Sequence, residues 1–294
     1  MKEKLFIAAV SGGPDSMCML DIYRDRIKAV CFVNYHDRDD THIDQKIVKE
    51  YCKKHNVKLH ILDVTEEIYS KYPYNNYQDQ CRRIRYNFFN QIAKIYGLID
   101  VIVAHNYNDF LETAYSQILS NKKNMFLGIK KISYYKNIRI IRPLINFPKA
   151  LLQKYCDANS IQYMIDSTNS KDIYQRNIHR KLLGILDENT FRKLVNYINS
   201  YNELNAPYDL EINKYYLLWK SKNFDLSYIL EKAYFYQYHM VYKYLSNNFI
   251  SRINRNKINQ IIDFIFSKKQ NTYYRLSNNI FLTKKYNELK MVRG

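Results

Sequence analysis

Residues 5–10, Leu-Phe-Ile-Ala-Ala-Val, form an unbroken apolar run that stops at Ser11-Gly12-Gly13-Pro14. A run this short reads as a buried strand. Pro14 then opens an amphipathic stretch from Met17 to Tyr23, and proline fits the first helical position, where its missing N–H costs nothing. Gly12 and Gly13 permit backbone conformations closed to other residues and let a ligand approach the main chain. Strand, glycine turn and helix N-terminus together make a site for phosphate, because unpaired N–H groups and the positive end of the helix dipole face the turn. Ser11 and Ser16 add hydroxyl donors, and Asp15 is placed to reach a magnesium ion held by that phosphate. An ordinary strand-to-helix turn also favours Gly, Ser and Asp, so two glycines alone decide little.

The six residues Ser11 to Ser16 are more specific. Ser-Gly-Gly-x-Asp-Ser resembles the pyrophosphate loop of the ATP pyrophosphatase superfamily, which implies an ATP site and cleavage to AMP and pyrophosphate. The loop lacks the Gly-Lys-Ser/Thr ending of a Walker motif, so kinase or GTPase chemistry is not implied.

The segments beyond the loop alternate. Lys28–Asn34 reads as a strand, His42–His55 as a helix, Lys58–Val64 as a strand, Gln78–Tyr96 as a long helix and Asp100–Ala104 as a strand. A helix from Asp109 to Leu119, a polar loop and a strand from Asn137 to Ile141 complete the series. This pattern predicts an α/β fold with a doubly wound, mainly parallel sheet. Its ligand is expected at the carboxyl ends of the strands. Beyond Phe147 the pattern is mostly helical, with helices expected at Lys149–Asn159, Tyr174–Leu186, Glu188–Leu204 and Leu226–Asn247. Two alternating runs around a Ser-Asn-Asn turn, Tyr273 to Leu282, suggest a hairpin. The expected domains are therefore 1–186 and 187–294.

Of the charged residues, 46 are Lys or Arg and 28 are Asp or Glu, giving a net charge of +18. The excess runs through both halves and favours a polyanionic partner. An AT-rich genome would also inflate Lys and Tyr, and the 30 tyrosines and 6 glycines fit that alternative. The five cysteines are scattered without a Cys-x-x-Cys spacing, which argues against a zinc ribbon, an iron–sulfur site or a disulfide framework. No apolar run is long enough to span a membrane and no signal peptide is recognisable, so a cytoplasmic protein is expected.

Three further constellations stand out. In Cys81-Arg82-Arg83-Ile84-Arg85-Tyr86-Asn87-Phe88-Phe89, helical spacing puts Ile84, Phe88, Ile92 and Ile95 on one face, toward the sheet. Arg82, Arg85, Tyr86 and Phe89 share a second face, suited to phosphate and a stacked base or simply to solvent. In Val103-Ala-His-Asn-Tyr-Asn-Asp-Phe-Leu-Glu-Thr, an acidic stripe of Asp109 and Glu112 begins where the strand delivers His105. It suits an ammonium group or magnesium, or else a helix cap at Asn108 or Asp109 with Glu112 closing a capping box. The third set is Arg142-Pro143-Leu144, Asp166-Ser167-Thr168-Asn169 and Arg176-Asn177-Ile178-His179-Arg180.

Taken in order, these motifs resemble the tRNA(Ile)-lysidine synthetase family across about residues 1–186. The match runs through Ser11–Ser16, Arg82, Arg85, Tyr86, Ala104, His105, Asp109, Glu112 and Thr113, then Arg142–Leu144, Asp166, Thr168, Asn169, Arg176, Asn177 and Arg180. Asn106 stands where a second His is usual and Asn108 where a first Asp is usual. The resemblance implies ATP and Mg2+ as cofactors, and the CAU-anticodon tRNA(Ile) and free L-lysine as partners. It implies no membrane, zinc or iron–sulfur cluster. It places ATP at Ser11, Gly12, Gly13, Pro14, Asp15, Ser16, Arg82 and His105, with Asp15 toward magnesium. Asp109, Glu112 and Arg85 are expected to serve lysine and catalysis, and Arg176, Asn177 and Arg180 the tRNA. The implied 1–186 domain is the ATP-binding catalytic part and 187–294 a mostly helical tRNA-binding part. A tRNA thiolase, a synthetase-like amidotransferase and a non-catalytic RNA-binding protein are the alternatives.

Overall fold

The computed structural model describes residues 4–37, 40–72, 77–120, 124–165, 175–248, 253–267, 272–277 and 280–293. The chain separates into two compact units, Met1–Ser200 and Tyr201–Gly294.

In the first unit the apolar run becomes β1 (Phe6–Ala9), followed by α1 (Pro14–Ile22), β2 (Ile27–Asn34), α2 (Thr41–Lys54), β3 (Lys58–Asp63) and the short α3 (Glu66–Ser70). Then come α4 (Tyr77–Ile95), β4 (Asp100–Val103), α5 (Tyr107–Leu119), β5 (Ile132–Tyr135), β6 (Ile138–Ile141), α6 (Lys149–Ala158) and α7 (Gln175–Gly184). The strands form one six-stranded sheet in the order β3-β2-β1-β4-β6-β5. β1 pairs in parallel with β2 on one edge and with β4 on the other, Ala9 lying opposite Cys31 and Val103. Only β5 runs antiparallel, against β6. Ile7, Ala8, Val30, Val101 and Ile102 are almost wholly buried, as expected of strands covered on both faces.

The expected alternation is present, and the polar loop before β6 contains the edge strand β5. Its residues are exposed on one side, Tyr134 at 73%, so the periodic apolar signal of a buried strand is weak there. The face assignment on α4 needs correction. Ile84, Phe88 and Ile92 are buried, but Ile95, in the last turn, is 70% exposed. Tyr86 and Phe89, expected on an open face, are 4% and 1% exposed. Tyr86 packs on Phe89 and on Tyr135 of β5, with ring centroids 5.8 and 5.5 Å apart. Tyr86 thus meets the unanticipated strand, and both rings are packed into the interior, where they line the pocket at the strand ends, instead of standing on an open outer face.

The remaining helices depart from expectation in two places. α8 (Glu188–Ser221) continues through Pro207, although a proline inside a helix loses a hydrogen bond and crowds the preceding turn. Buried Ile212, Tyr216 and Trp219 beyond the proline lie at helical spacing and anchor that half. The helix expected at Leu226–Asn247 is two, α9 (Leu226–Leu230) and α10 (Tyr234–Asn247). At the corner Gln237 Nε2 donates to the carbonyls of Lys232 at 2.7 Å and Leu230 at 3.4 Å, which satisfies groups that a continuous helix would have paired. α11 (Arg255–Phe266) precedes the hairpin β7 (Tyr273–Ser277) and β8 (Ile280–Lys285), which β9 (Glu288–Arg293) extends to a three-stranded antiparallel sheet. Trp219, Met240, Leu245, Ile261 and Leu282 centre the core of this unit. No helix among the described residues is long and apolar enough to cross a membrane.

At position 12 the turn between β1 and α1 has room for glycine only. Gly12 has φ of +89°, and a Cβ there would lie 2.8–3.0 Å from Oδ1, Cβ and the backbone Cα of Asp44. Backbone strain and a clash with main chain act together, so Gly12→Ala should destabilise the fold by about 2–4 kcal/mol. Chemical denaturation would show this as a lower midpoint, and an unchanged midpoint would mean that the turn tolerates a side chain.

Candidate functional site

A cavity of about 230 Å³ opens at the carboxyl ends of β1, β2 and β4, beneath α4. Chain crossovers leave β1 and β4 toward opposite sides of the sheet, so this is the switch point where ligands of such sheets bind. Its lining combines apolar Val10, Cys31, Val33 and Phe89 with polar Ser11, Gly13, Asp15, Ser16, His105 and Asp109, and with Arg85 of α4.

The loop is held by its own hydroxyls. Ser16, 4% exposed, accepts from the Ser11 amide at 3.1 Å and donates to the Gly13 carbonyl at 2.9 Å. The Ser11 hydroxyl donates to Ser16 Oγ at 3.3 Å. Both side chains expected to offer donors outward are thus engaged in shaping the loop. The Gly12 carbonyl accepts from the Met164 amide at 3.0 Å. Gly13 is the N-cap of α1 and makes no side-chain cap. A Cβ on Gly13 would meet nothing closer than 3.8 Å, so its bareness leaves space on the pocket side instead of relieving a clash. An open cradle at a helix start suits phosphate.

Two carboxylates enter the pocket from different strand ends. Asp15 Oδ2 accepts from Asn106 Nδ2 at 3.0 Å. Asp15 Oδ1 is buried and has no hydrogen-bond partner among the described residues. Burial raises the Asp15 pKa from 3.8 to about 6; Lys149 opposes the rise, Asp109 adds to it, and Asn106 and Arg180 oppose it. Asp109 belongs to a capping box: its amide donates to Asn106 Oδ1 at 3.1 Å, and its Oδ2 accepts from the Asn106 amide at 3.0 Å. The cap of α5 is therefore Asn106, not Asn108 or Asp109, and Glu112 is not its closing residue. Asn108 instead accepts from the Lys149 amide at 2.9 Å, at the start of α6.

Glu112 departs most from expectation. It is 2% exposed, and its Oε1 accepts from Arg180 Nε at 2.7 Å. It does not stand open to an ammonium group. Arg180, expected to face tRNA, is held by Glu112 and bears electrostatically on Asp109 and Asp15. Arg85 lines the pocket, whereas Arg82 is exposed outside the lining residues, its guanidinium 5.1 Å from the Tyr86 ring. Arg142 is 3% exposed and donates to the Lys130 carbonyl and Ser133 Oγ, both at 2.9 Å. Burial alone would push the Tyr86 hydroxyl up, but Arg82, Arg85 and Arg142 outweigh it and leave it below the ordinary tyrosine value. Asp166, Ser167, Thr168 and Asn169, and the side chains of Arg176 and Asn177, lie outside the described residues.

Among the described residues no group of three or more His, Cys, Asp or Glu is arranged to hold a metal. Asp15 nevertheless fits a magnesium ion that takes most of its ligands from phosphate and water, since one or two carboxylates suffice for such an ion. Its partnerless buried oxygen supports that fit. Sequence reasoning gives no part to Asn106 or Lys149 here. The only signal for Asn106 is its place three residues before Asp109, the spacing of a capping box.

A PP-loop domain family model matches residues 1–185. The chain is 41% identical over 285 residues to the tRNA(Ile)-lysidine synthase of Malacoplasma penetrans, covering 96% of each chain. It is 39% identical to that of Ureaplasma parvum, covering 96% of this chain and 85% of the relative. Among solved structures, the U34-tRNA thiolase NcsA of Methanococcus maripaludis with its [4Fe-4S] cluster aligns at a TM-score of 0.56. The identity there is 16%, with 70% of this chain and 74% of that chain covered, and the likeness is one of fold.

The raised pKa of Asp15 has a sign that experiment can check. Its folded value of about 6 lies above the unfolded 3.8, so the ionised carboxylate costs stability above pH 6, and the cost fades as pH falls toward 4. Asp15→Asn should therefore stabilise the ligand-free protein at pH 7.5 by about 1–2 kcal/mol, discounted for the solvent access the carboxylate keeps. Most of that gain should be gone at pH 4.5. Melting curves at the two pH values measure it, and a gain independent of pH would contradict the assignment.

Proposed function

The chain belongs to the tRNA(Ile)-lysidine synthase family, and on that premise we propose that it converts the wobble cytidine of the CAU-anticodon tRNA(Ile) to lysidine, using ATP and free L-lysine. In the first step the cytosine 2-carbonyl oxygen attacks the α-phosphorus of ATP. The bond to the bridging oxygen breaks, pyrophosphate leaves, and the base becomes adenylated. In the second step the lysine side-chain amine attacks C2, the bond from C2 to the phosphate-bearing oxygen breaks, AMP departs, and the amine loses its proton.

The observation that carries this reading is the placement of a bare glycine loop and two linked carboxylates around one pocket at the sheet's switch point. The apolar lining of Val10, Cys31, Val33 and Phe89 suits a flat base. Gly13 and the start of α1 suit the phosphates, and Arg85 in the pocket lining suits charge that develops during transfer. Magnesium, when bound, would screen the leaving pyrophosphate, and Asp15 is the residue to hold it. Asp109 is assigned the task of receiving the lysine ammonium and taking up its proton. Glu112 acts one step back, holding Arg180 beside Asp109 and Asp15. His105, at the end of β4, completes the pocket wall. Arg176 and Asn177, four and three residues before Arg180 on α7, are assigned to tRNA phosphates together with the surplus positive charge of the chain. The wobble base must be unstacked to reach the α-phosphorus.

The test is a lysine-incorporation assay with magnesium, ATP, labelled lysine and unmodified CAU-anticodon tRNA, with AMP followed in parallel. Label entering the tRNA in step with AMP is the expected result. AMP without lysine incorporation would redirect the reading to another base-activating enzyme, and sulfur donors would be tried next. In the same assay Asp109→Asn should lower lysidine formation about 100-fold, as loss of a general base does, while ATP still binds. Normal lysidine formation by that variant would remove Asp109 from the chemistry.

A further inference from the structure

Asn106 is 2% exposed and joins groups that come from opposite sides of the switch point. Its Oδ1 accepts from the Asp109 amide at 3.1 Å, its backbone amide donates to Asp109 Oδ2 at 3.0 Å, and its Nδ2 donates to Asp15 Oδ2 at 3.0 Å. The two partners fix the amide's orientation: a backbone N–H needs the oxygen, and a carboxylate needs the nitrogen. We propose that Asn106 is a positioning residue for Asp15, a single buried amide that caps α5 with its oxygen and, with its nitrogen, orients the Asp15 carboxylate so that Oδ1 is left for a phosphate-bound magnesium. The inference rests on the reading of Asp15 as the residue that faces that ion.

The demands on this position are opposed, which is why the residue type matters. A cap needs an acceptor, and Ser, Thr, Asp and Asn all supply one. Asp15 needs a donor, which a carboxylate cannot give. Of the good caps, Asn alone carries an acceptor and an amide donor on one short neutral side chain. An aspartate here would add a third carboxylate about 3 Å from Asp15, where Asp109 already disfavours ionisation. The Asn106 amide thus also insulates two like charges that share one pocket. The Nδ2 contact to Oδ2 is what sets the plane of the Asp15 carboxylate, since Oδ1 has no hydrogen-bond partner among the described residues.

Asn106→Ser separates the two roles, because serine keeps a cap and is too short to serve Asp15. Three quantities are measured: the melting temperature, the affinity for an ATP analogue with a methylene between the α- and β-phosphorus, and the steady-state constants. Affinity is read by calorimetry with magnesium and with a chelator. The expected result is a melting temperature within a few degrees of the parent and unchanged affinity in chelator, with a loss of about tenfold in affinity when magnesium is present. The KM for ATP should rise in step while the KM for lysine stays within twofold. Asn106→Asp should lose at least as much of the magnesium gain. If Asn106→Ser keeps the full magnesium gain, or loses affinity equally with and without the metal, Asn106 is a cap and nothing more. Asp15→Asn is the control that separates the two ideas. If it abolishes the magnesium gain and Asn106→Ser does not, the inference fails and the reading of Asp15 stands; if it keeps the gain, that reading fails itself.

Discussion

The central constraint is that β1 is hydrogen-bonded on both edges, to β2 and to β4, with all three strands parallel. Parallel strands need crossovers, and crossovers leaving to opposite sides open a crevice at the carboxyl ends of β1 and β4. The phosphate loop and both pocket carboxylates are delivered to that crevice by strand ends. β1 brings the Ser11–Ser16 loop, β4 brings His105 and Asn106, and α5 continues with Asp109. A sheet buried on both faces holds these positions firmly, because any shift of register would break close packing on both sides at once.

Within that frame the site concentrates negative charge and then confines it. Asp15 and Asp109 share a pocket, Glu112 is buried behind them, and each is tied to a neutral or cationic partner: Asn106 to the first two, Arg180 to the third. The arrangement costs stability in the free protein, as the raised Asp15 pKa indicates, and that cost is typical of sites that await a charged ligand. Arg85 enters the same pocket from α4, a helix held by buried Ile84, Tyr86, Phe88 and Phe89, which keeps the guanidinium on a firm mount.

How much of this is legible in the sequence depends on whether the signal is local. The β1 run, its glycine break and Pro14 are adjacent in the chain, and their fold comes from strand periodicity and turn chemistry. The same holds for the parallel sheet, since each strand–helix pair carries its own pattern. Properties decided by distant neighbours escape. β5 carries little of a buried strand's pattern, and its Tyr135 packs on Tyr86, which helical spacing alone places on an open face. Glu112 and Arg180 are 68 residues apart, so nothing local marks them as partners. In the sequence Asn106 is a departure from a family pattern, whereas its three hydrogen bonds make it the link between two strand ends. Pro207 ends a helix by local rule, and only the buried side chains beyond it show why α8 continues.

If the pocket directs attack onto the α-phosphorus of ATP, the most direct measurement is to follow phosphorus with lysine withheld. Incubating the protein with unmodified CAU-anticodon tRNA, magnesium and ATP labelled at either the α or the γ position asks which phosphorus reaches the RNA. The α label should become attached to the tRNA and the γ label should not, and added lysine should release the α label as AMP. Transfer of the γ label, or release of AMP with no α-labelled tRNA trapped on quenching, would contradict attack at the α-phosphorus.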